Sequence, residues 1–326
     1  MATPSNSTYE HKFPEWLAIM EKIMKLGLLP VVFVIGVPGN ILAFVILLNP
    51  RFQYNKSSIG VYTIALTFFD LCTTIFFVPV HFLRMQFSQV VLSVEFCRVM
   101  IWFNYFCRPA SNITLCFMSV DRLIAVSLPL KARIICTKNR AVCSLLVVVL
   151  FQITRCTWQM MAIGMRIIPG IGKDCFIGQT ASETSFHNIL NLMFLVWVPL
   201  CVICLCNVVI VYFLRKNAKQ RNRISVTDTT SAVESSLTLI LVTISIVCLI
   251  LHFPYIIYVI LFHLFDMFGD LSTVGARYEN VAGWVSGNII TLNSALNFYL
   301  YCLSSINFRN NLRIVVCTVC KSRKSK

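Results

Sequence analysis

Apart from Arg98, which stands at the very start of its run, five charged residues lie inside the long apolar runs of this chain: Asp70, Arg108, Asp121, Arg122 and Arg155. A charge at the centre of a bilayer costs about 2.5 to 3.5 kcal/mol on insertion scales, so each one is a candidate functional residue. Asp70 has no acidic neighbour. Its carboxylate, with Ser111 and with Asn293, Ser294 and Asn297 at one-turn spacing, offers an oxygen set for a small hard cation such as sodium, or for a water cluster. A protonated or simply hydrogen-bonded Asp70 is the plainer alternative. Arg108 lies one helical turn from Asn104, where a guanidinium can receive a carboxylate through two parallel bonds; a structural arginine among polar neighbours is the other reading. Arg155, near the end of its run, is expected to snorkel toward the interface. His252 could titrate near neutral pH, although a polar packing residue bonded to its neighbours is the more ordinary role. No nucleophile with a base, no glycine-rich phosphate loop and no Cys/His metal cluster stands at convincing spacing, so an enzyme is not expected.

Charges in such places must be held by elements that cross lipid. Of the 326 residues, 57% are hydrophobic and only 13% are charged, against about 25% charged in a soluble chain. An uninterrupted apolar run extends over Leu26 to Leu48, and similar runs follow at Ile59 to Phe82, Cys97 to Leu128, Ala141 to Ile163, Ile189 to Leu214, Leu237 to Phe262 and Val281 to Leu303. Each exceeds the ~20 residues a spanning helix needs, and none alternates as a barrel strand would. The expected fold is all-α: a seven-helix transmembrane bundle over residues 26–303, after a polar N-terminus (1–25) without an evident signal peptide. Residues 304–326 are expected to form a membrane-parallel amphipathic helix from Phe308 to Val319 and a short tail. Most of the 15 cysteines lie within the runs and read as small hydrophobes.

Charge sets the expected orientation. The segments 49–58, 129–140, 215–236 and 304–326 hold 17 lysines and arginines against Asp228 and Glu234, while the alternate segments are close to neutral. By the positive-inside rule the first set is cytoplasmic and the N-terminus is outside. The net charge of +15 is therefore a feature of topology, and no nucleic-acid partner is needed to explain it. Asn6 begins an Asn-Ser-Thr glycosylation acceptor on the outer side. Cys317 and Cys320, beside Lys321, Arg323 and Lys324, suit palmitoylation with a polybasic anchor in the lipid bilayer.

The ordered motifs resemble those of the rhodopsin-like (class A) G-protein-coupled receptors. Gly39-Asn40 stands in the first run, Leu66 and Asp70 in the second, and Cys97 at the head of the third with Asp121-Arg122-Leu123 at its foot. Pro199, Pro254 and Asn297-Phe-Tyr-Leu-Tyr301 follow, then Phe308-Arg309 after six residues. The resemblance implies a disulfide from Cys97 to Cys175. It implies a resting contact between Arg122 and Glu234, and a switch that also involves Asp121, Pro254, Asn297 and Tyr301. Departures stand out: Leu123 replaces a tyrosine, Phe298 a proline, His252 an aromatic switch residue and Asn207 a tyrosine, and the usual tryptophan of the fourth span is missing.

The family's amine receptors carry an aspartate where this chain has Asn104, and its opsins a lysine where it has Thr291. An extracellular ligand, a neuropeptide, is expected among Asn104, Tyr105, Arg108, His252 and Tyr255, with heterotrimeric G proteins as the inner partner at the plasma membrane. The alternatives are a chemosensory or lipid/small-carboxylate receptor of the same fold and, less favoured, a transporter, for which no inverted repeat is visible. Sodium is the one ion the resemblance suggests; no other cofactor is expected.

Overall fold

The structure, a computed structural model, describes residues 15–79, 82, 93–161, 163–168, 172–177, 193–221, 229–268 and 273–324. Helix α1 (Glu15–Ile23) passes through a π-helical turn at Met24–Leu28 into α2 (Leu29–Leu48). Then come α3 (Ser58–Cys72) with a π turn at Thr73–Phe77, α4 (Val94–Ser127), the short α5 (Pro129–Ile135) and α6 (Lys138–Met161). A third π turn at Met193–Trp197 leads into α7 (Val198–Arg221), followed by α8 (Thr229–Phe268), α9 (Thr273–Ser304) and α10 (Ile306–Lys324). Each of the seven expected runs thus has its long helix.

The bounds differ where local chemistry intervenes. Residue 163 does not extend α6; it opens β1 (Ile163–Ile168), which pairs antiparallel with β2 (Gly172–Ile177), placing Met165 opposite Cys175. This hairpin, packed against α4, is the one addition to the expected all-α plan among the described residues. Ser57, Ser93 and Ser305 cap α3, α4 and α10 by accepting the backbone N–H groups of Gly60, Phe96 and Phe308 at 3.1 to 3.2 Å. A serine oxygen there takes up one of the helix's unsatisfied donors. Before α3, Gln53 adopts a left-handed φ of 55°, and a 3-10 turn, Tyr54–Lys56, folds back onto the helix start. A Cβ on Gly60 would lie 1.8 Å from the Tyr54 carbonyl oxygen, so only glycine fits.

Five of the helices are long and apolar enough to cross a membrane on composition alone: Leu26–Leu48, Ser58–Phe77, Lys138–Thr157, Val198–Lys216 and Ile240–Leu261. A sixth, Val281–Ser304, reaches that standard together with Ile306–Thr318, to which it is joined by a bend of 103°. Helix α4 falls short because Asn104, Arg108, Ser111 and Asn112 interrupt its middle. Its place in the bundle explains the tolerance. At about 50 Å long, α4 touches α3, α6, α7 and α8, while α2 closes the ring between α3 and α9. Polar groups on a central helix face protein rather than lipid.

The polarity of the whole is inverted relative to a water-soluble protein. Asn40, Asp70, Ser111, Asn112, Asn293 and Asn297 are buried. Val34, Leu150, Leu205, Val208 and Ile250 are each more than 60% exposed, an exterior that suits hydrocarbon.

Candidate functional site

Three clusters lie along the inner face of α4. Nearest its amino end, Arg108 donates from one terminal nitrogen to the Thr291 hydroxyl at 2.6 Å and to the Gly287 carbonyl at 3.3 Å, both on α9. Its guanidinium stands over the Phe77 ring, 5.1 Å from the centroid. Every one of these partners is neutral, and among the described residues no carboxylate pairs with Arg108. Tyr105 and Tyr255 lie close enough to feel its charge. The Oδ1 of Asn104 is buried with no partner among the described residues. The geometry therefore draws Tyr105, Arg108 and Tyr255 into one neighbourhood, with Asn104 one turn away on the same helix.

His252 is fully buried on α8. Its Nδ1 lies 2.8 Å from the Cys248 carbonyl and its Nε2 lies 3.3 Å from Asn112 Nδ2. A neutral imidazole with the proton on Nδ1 satisfies both contacts, donating to the carbonyl and accepting from the amide. The plainer reading thus describes this residue better than pH sensing does.

Arg155 corrects an expectation. Rather than snorkelling to the interface, it is 7% exposed, with Nε donating to Gln152 Oε1 at 2.8 Å and a terminal nitrogen donating to the Tyr105 carbonyl. The cause is Pro109, which lacks the N–H that would have bonded four residues back, to Tyr105. Arg155 supplies the missing donor from α6. The signal was present in the sequence as a proline four residues after Tyr105, but nothing local names the arginine that answers it.

The second cluster surrounds Asp70, which is wholly buried. Ser111 donates to Oδ1 at 2.9 Å, Asn297 donates to Oδ2, and the Ser294 hydroxyl also bonds the carboxylate. Asn40 ties the group to α2 by donating to the Ser294 carbonyl at 2.7 Å. Four of the five expected cation ligands therefore meet. Asn293 is buried too, but its Oδ1 has no partner among the described residues. The buried Oδ1 of Asn297 is likewise free to accept. A carboxylate, two hydroxyls and amide oxygens suit a hard cation, and no three His, Cys, Asp or Glu side chains gather among the described residues to suit a zinc-type ion.

At the far end of α4, Arg122 pairs with its neighbour Asp121, with terminal nitrogen and carboxylate oxygen 2.7 Å apart and a second contact from Nε at 3.3 Å. Ser58 donates to the same carboxylate at 3.0 Å, and the Cys136 thiol donates to the Asp121 carbonyl at 3.4 Å. Burial, followed by the adjacent Asp121 charge, pushes the Cys136 thiol up to about 11, so it stays protonated as a donor. The partner the structure gives Arg122 is thus Asp121. Glu234 lies on α8, but its side chain is outside the described residues, as are the side chains of Cys97, Cys175 and Cys320 and the whole of Asn6. Cys317 is exposed on α10. Pro254 lies within α8 and Tyr301 is buried, its ring 5.4 Å from that of Phe308.

Sequence reasoning missed Thr291, Phe77, Asn112 and Ser58 as partners in these clusters, since their roles follow from which helix faces which.

Comparison with known proteins agrees with this geometry. The family described as 7 transmembrane receptor (rhodopsin family) matches residues 39–307. Among curated relatives, growth hormone secretagogue receptor type 1 of Sus scrofa is 26% identical over 38% of this chain and 33% of its own length. Galanin receptor 2a of Danio rerio is 29% identical over 35% of this chain and 31% of its own. The alpha-1A adrenergic receptor of Cavia porcellus is 33% identical over 38% and 27% respectively. The chain spans about a third of the length of the curated relatives it matches. The family match covers most of the chain, and its order of helices, central α4 and buried Asp70, Asn297 and Arg122 all fall within it: this multi-pass membrane protein belongs to the rhodopsin family of seven-transmembrane receptors, which are not enzymes.

Proposed function

We propose that the chain is a plasma-membrane receptor, amino end outside, that couples an extracellular neuropeptide to heterotrimeric G proteins. Arg108 carries the ligand reading. A half-buried guanidinium whose partners among the described residues are all neutral loses hydration without gaining a counter-ion from them. A carboxylate from a peptide side chain or C-terminus would supply that counter-ion bidentately, with Tyr105 and Tyr255 as walls. Relatives named for a growth hormone secretagogue and for galanin support a peptide, while Asn104 stands where the family's amine receptors place an aspartate. A small-carboxylate or lipid ligand rests on the same Arg108 and is the second reading. A screen of peptides beside small carboxylates, with calcium and cyclic nucleotide as readouts, separates the two. For the agonist so found, Arg108→Ala is expected to lower potency by about tenfold or more. Unchanged potency, at equal labelling of an amino-terminal tag on intact cells, overturns the clamp.

The switch follows from mechanics. A ligand that prefers α8 swung outward about Pro254 shifts the population by its differential affinity and no further. That swing would separate Arg122 from Glu234, where the family often places an acid, and open a basic inner face. Asp70 with Ser111, Ser294 and Asn297 would hold a sodium ion when one binds, supplying a positive charge that pins α3, α4 and α9 together. Replacing sodium with N-methylglucamine is expected to raise agonist affinity several-fold in the native chain and to leave Asp70→Asn unmoved; equal responses would sink the site.

A further inference from the structure

Helices α3 and α4 are joined by a ladder of contacts whose rungs descend on one helix as they climb on the other. The Phe76 and Phe103 rings lie 5.2 Å apart between centroids, Ser111 donates to Asp70 at 2.9 Å, and the Thr63 hydroxyl lies 3.9 Å from the Met118 sulfur. Between the first two rungs stand Cys72, the last residue of α3, and Cys107 on α4. Both are free thiols, and they hydrogen-bond one another, the buried Cys107 acting as donor. A disulfide can close only where two Cα atoms lie within about 7 Å and their Cβ atoms converge. Thiols that already touch, in a register pinned on either side, need only turn and approach. The two are not equivalent. Cys72 is partly exposed, whereas Cys107 is 3% exposed. An S–H aimed at the Cys72 sulfur supports negative charge gathering there, as the attacking member of a redox pair requires, and leaves the donor poised to resolve the product. A third thiol, Cys156, approaches Cys107 from α6, but the Arg155 guanidinium donates to its sulfur at 3.4 Å.

We propose that Cys72 and Cys107 are an oxidisable pair that a hydroperoxide converts into a reversible disulfide. The Cys72 sulfur takes the terminal hydroxyl of the peroxide. The O–O bond breaks, the remaining oxygen leaves as an alcohol or water with the proton of the Cys72 thiol, and Cys72 becomes a sulfenic acid. The Cys107 sulfur then attacks the Cys72 sulfur. The S–O bond breaks, the S–S bond forms, and the hydroxyl leaves as water with the Cys107 proton. The two thiols together give up two electrons and the peroxide gains them; a dithiol reductant returns them. The bond ties α3 to α4 two residues from Asp70 and one from Arg108. Any effect on signalling rests on the proposed function. The bond itself does not, and the test reads the bond alone.

The reduced full chain in saturated phosphatidylcholine nanodiscs is exposed to hydrogen peroxide, which arrives from water, or to cumene hydroperoxide, which arrives from lipid. It is then blocked with N-ethylmaleimide in denaturant, digested and read by mass spectrometry. The expected product is a linked pair of peptides carrying Cys72 and Cys107, lost on treatment with dithiothreitol; the peroxide that forms it identifies the route. In Cys107→Ser, dimedone is expected to trap Cys72 as the sulfenic acid. In Cys72→Ser, Cys107 is expected to stay reduced and take up N-ethylmaleimide. If either variant fails to fold, the linked peptides of the native chain still decide. No such link while the exposed Cys143 is oxidised, a link from Cys107 to Cys156 in its place, or an equal yield from a chain denatured before the peroxide is added overturns the proposal.

Discussion

Single residues in this protein are informative mainly through what they lack. Among the described residues Arg108 has hydrogen-bond acceptors but no counter-ion, whereas His252 has a partner on each nitrogen and nothing left to offer. Charging that ring would put a second proton opposite the Asn112 amide, two donors face to face in a buried site, which the surroundings resist. Agonist response is therefore expected to keep the same pH profile between about pH 6 and 8 in the native chain and in His252→Gln. A profile that flattens in the variant would restore the switch reading. At this scale the sequence reveals which residues are out of place in an apolar run, because cost follows from type and depth alone. It does not reveal their partners. Thr291 is unremarkable until α9 is rotated so that it meets Arg108, and rotation is settled by packing along the whole helix.

Elements show the same division. The helices were legible because runs of more than twenty apolar residues have one outcome in lipid. The hairpin after α6 was not, since the apolar run that reads as α6 already takes in Ile163, the first residue of β1. Phe298 is the instructive case. With phenylalanine in place of the family's proline, α9 keeps the N–H that a proline would delete and contains no internal proline. The ring has room because Gly39 faces it: a Cβ there would sit 3.3 Å from Phe298 Cβ and Cδ1. It also meets Phe308 with ring centroids 6.1 Å apart, joining α9 to α10. Phe298→Pro, though it restores the family motif, is thus expected to cost about 3 kcal/mol through the lost bond and the emptied site. Thermal unfolding in detergent measures it; a variant as stable as the native chain would show that the aromatic contact contributes nothing.

For the whole molecule, composition foretells an apolar outside and a polar interior, and the buried asparagines of α2, α4 and α9 bear that out. The order of helices around α4 could not be read from any stretch of sequence, since it arises from contacts between residues far apart in the chain. The link between Arg155 and the Tyr105 carbonyl is one such contact, and it reaches beyond the two helices it joins. Because the proline gap in α4 is filled from α6, twisting one rod drags the other. The second rod turns Leu146, Val147 and Leu150 outward, each more than half exposed. A twist begun by a ligand must then shear the surrounding acyl chains. Stiffer bilayers should weaken the response, and Arg155→Lys, which cannot serve both Gln152 and the carbonyl, should uncouple it from lipid order. Agonist affinity in fluid against cholesterol-stiffened discs would register that friction, or show that the two rods slip past one another.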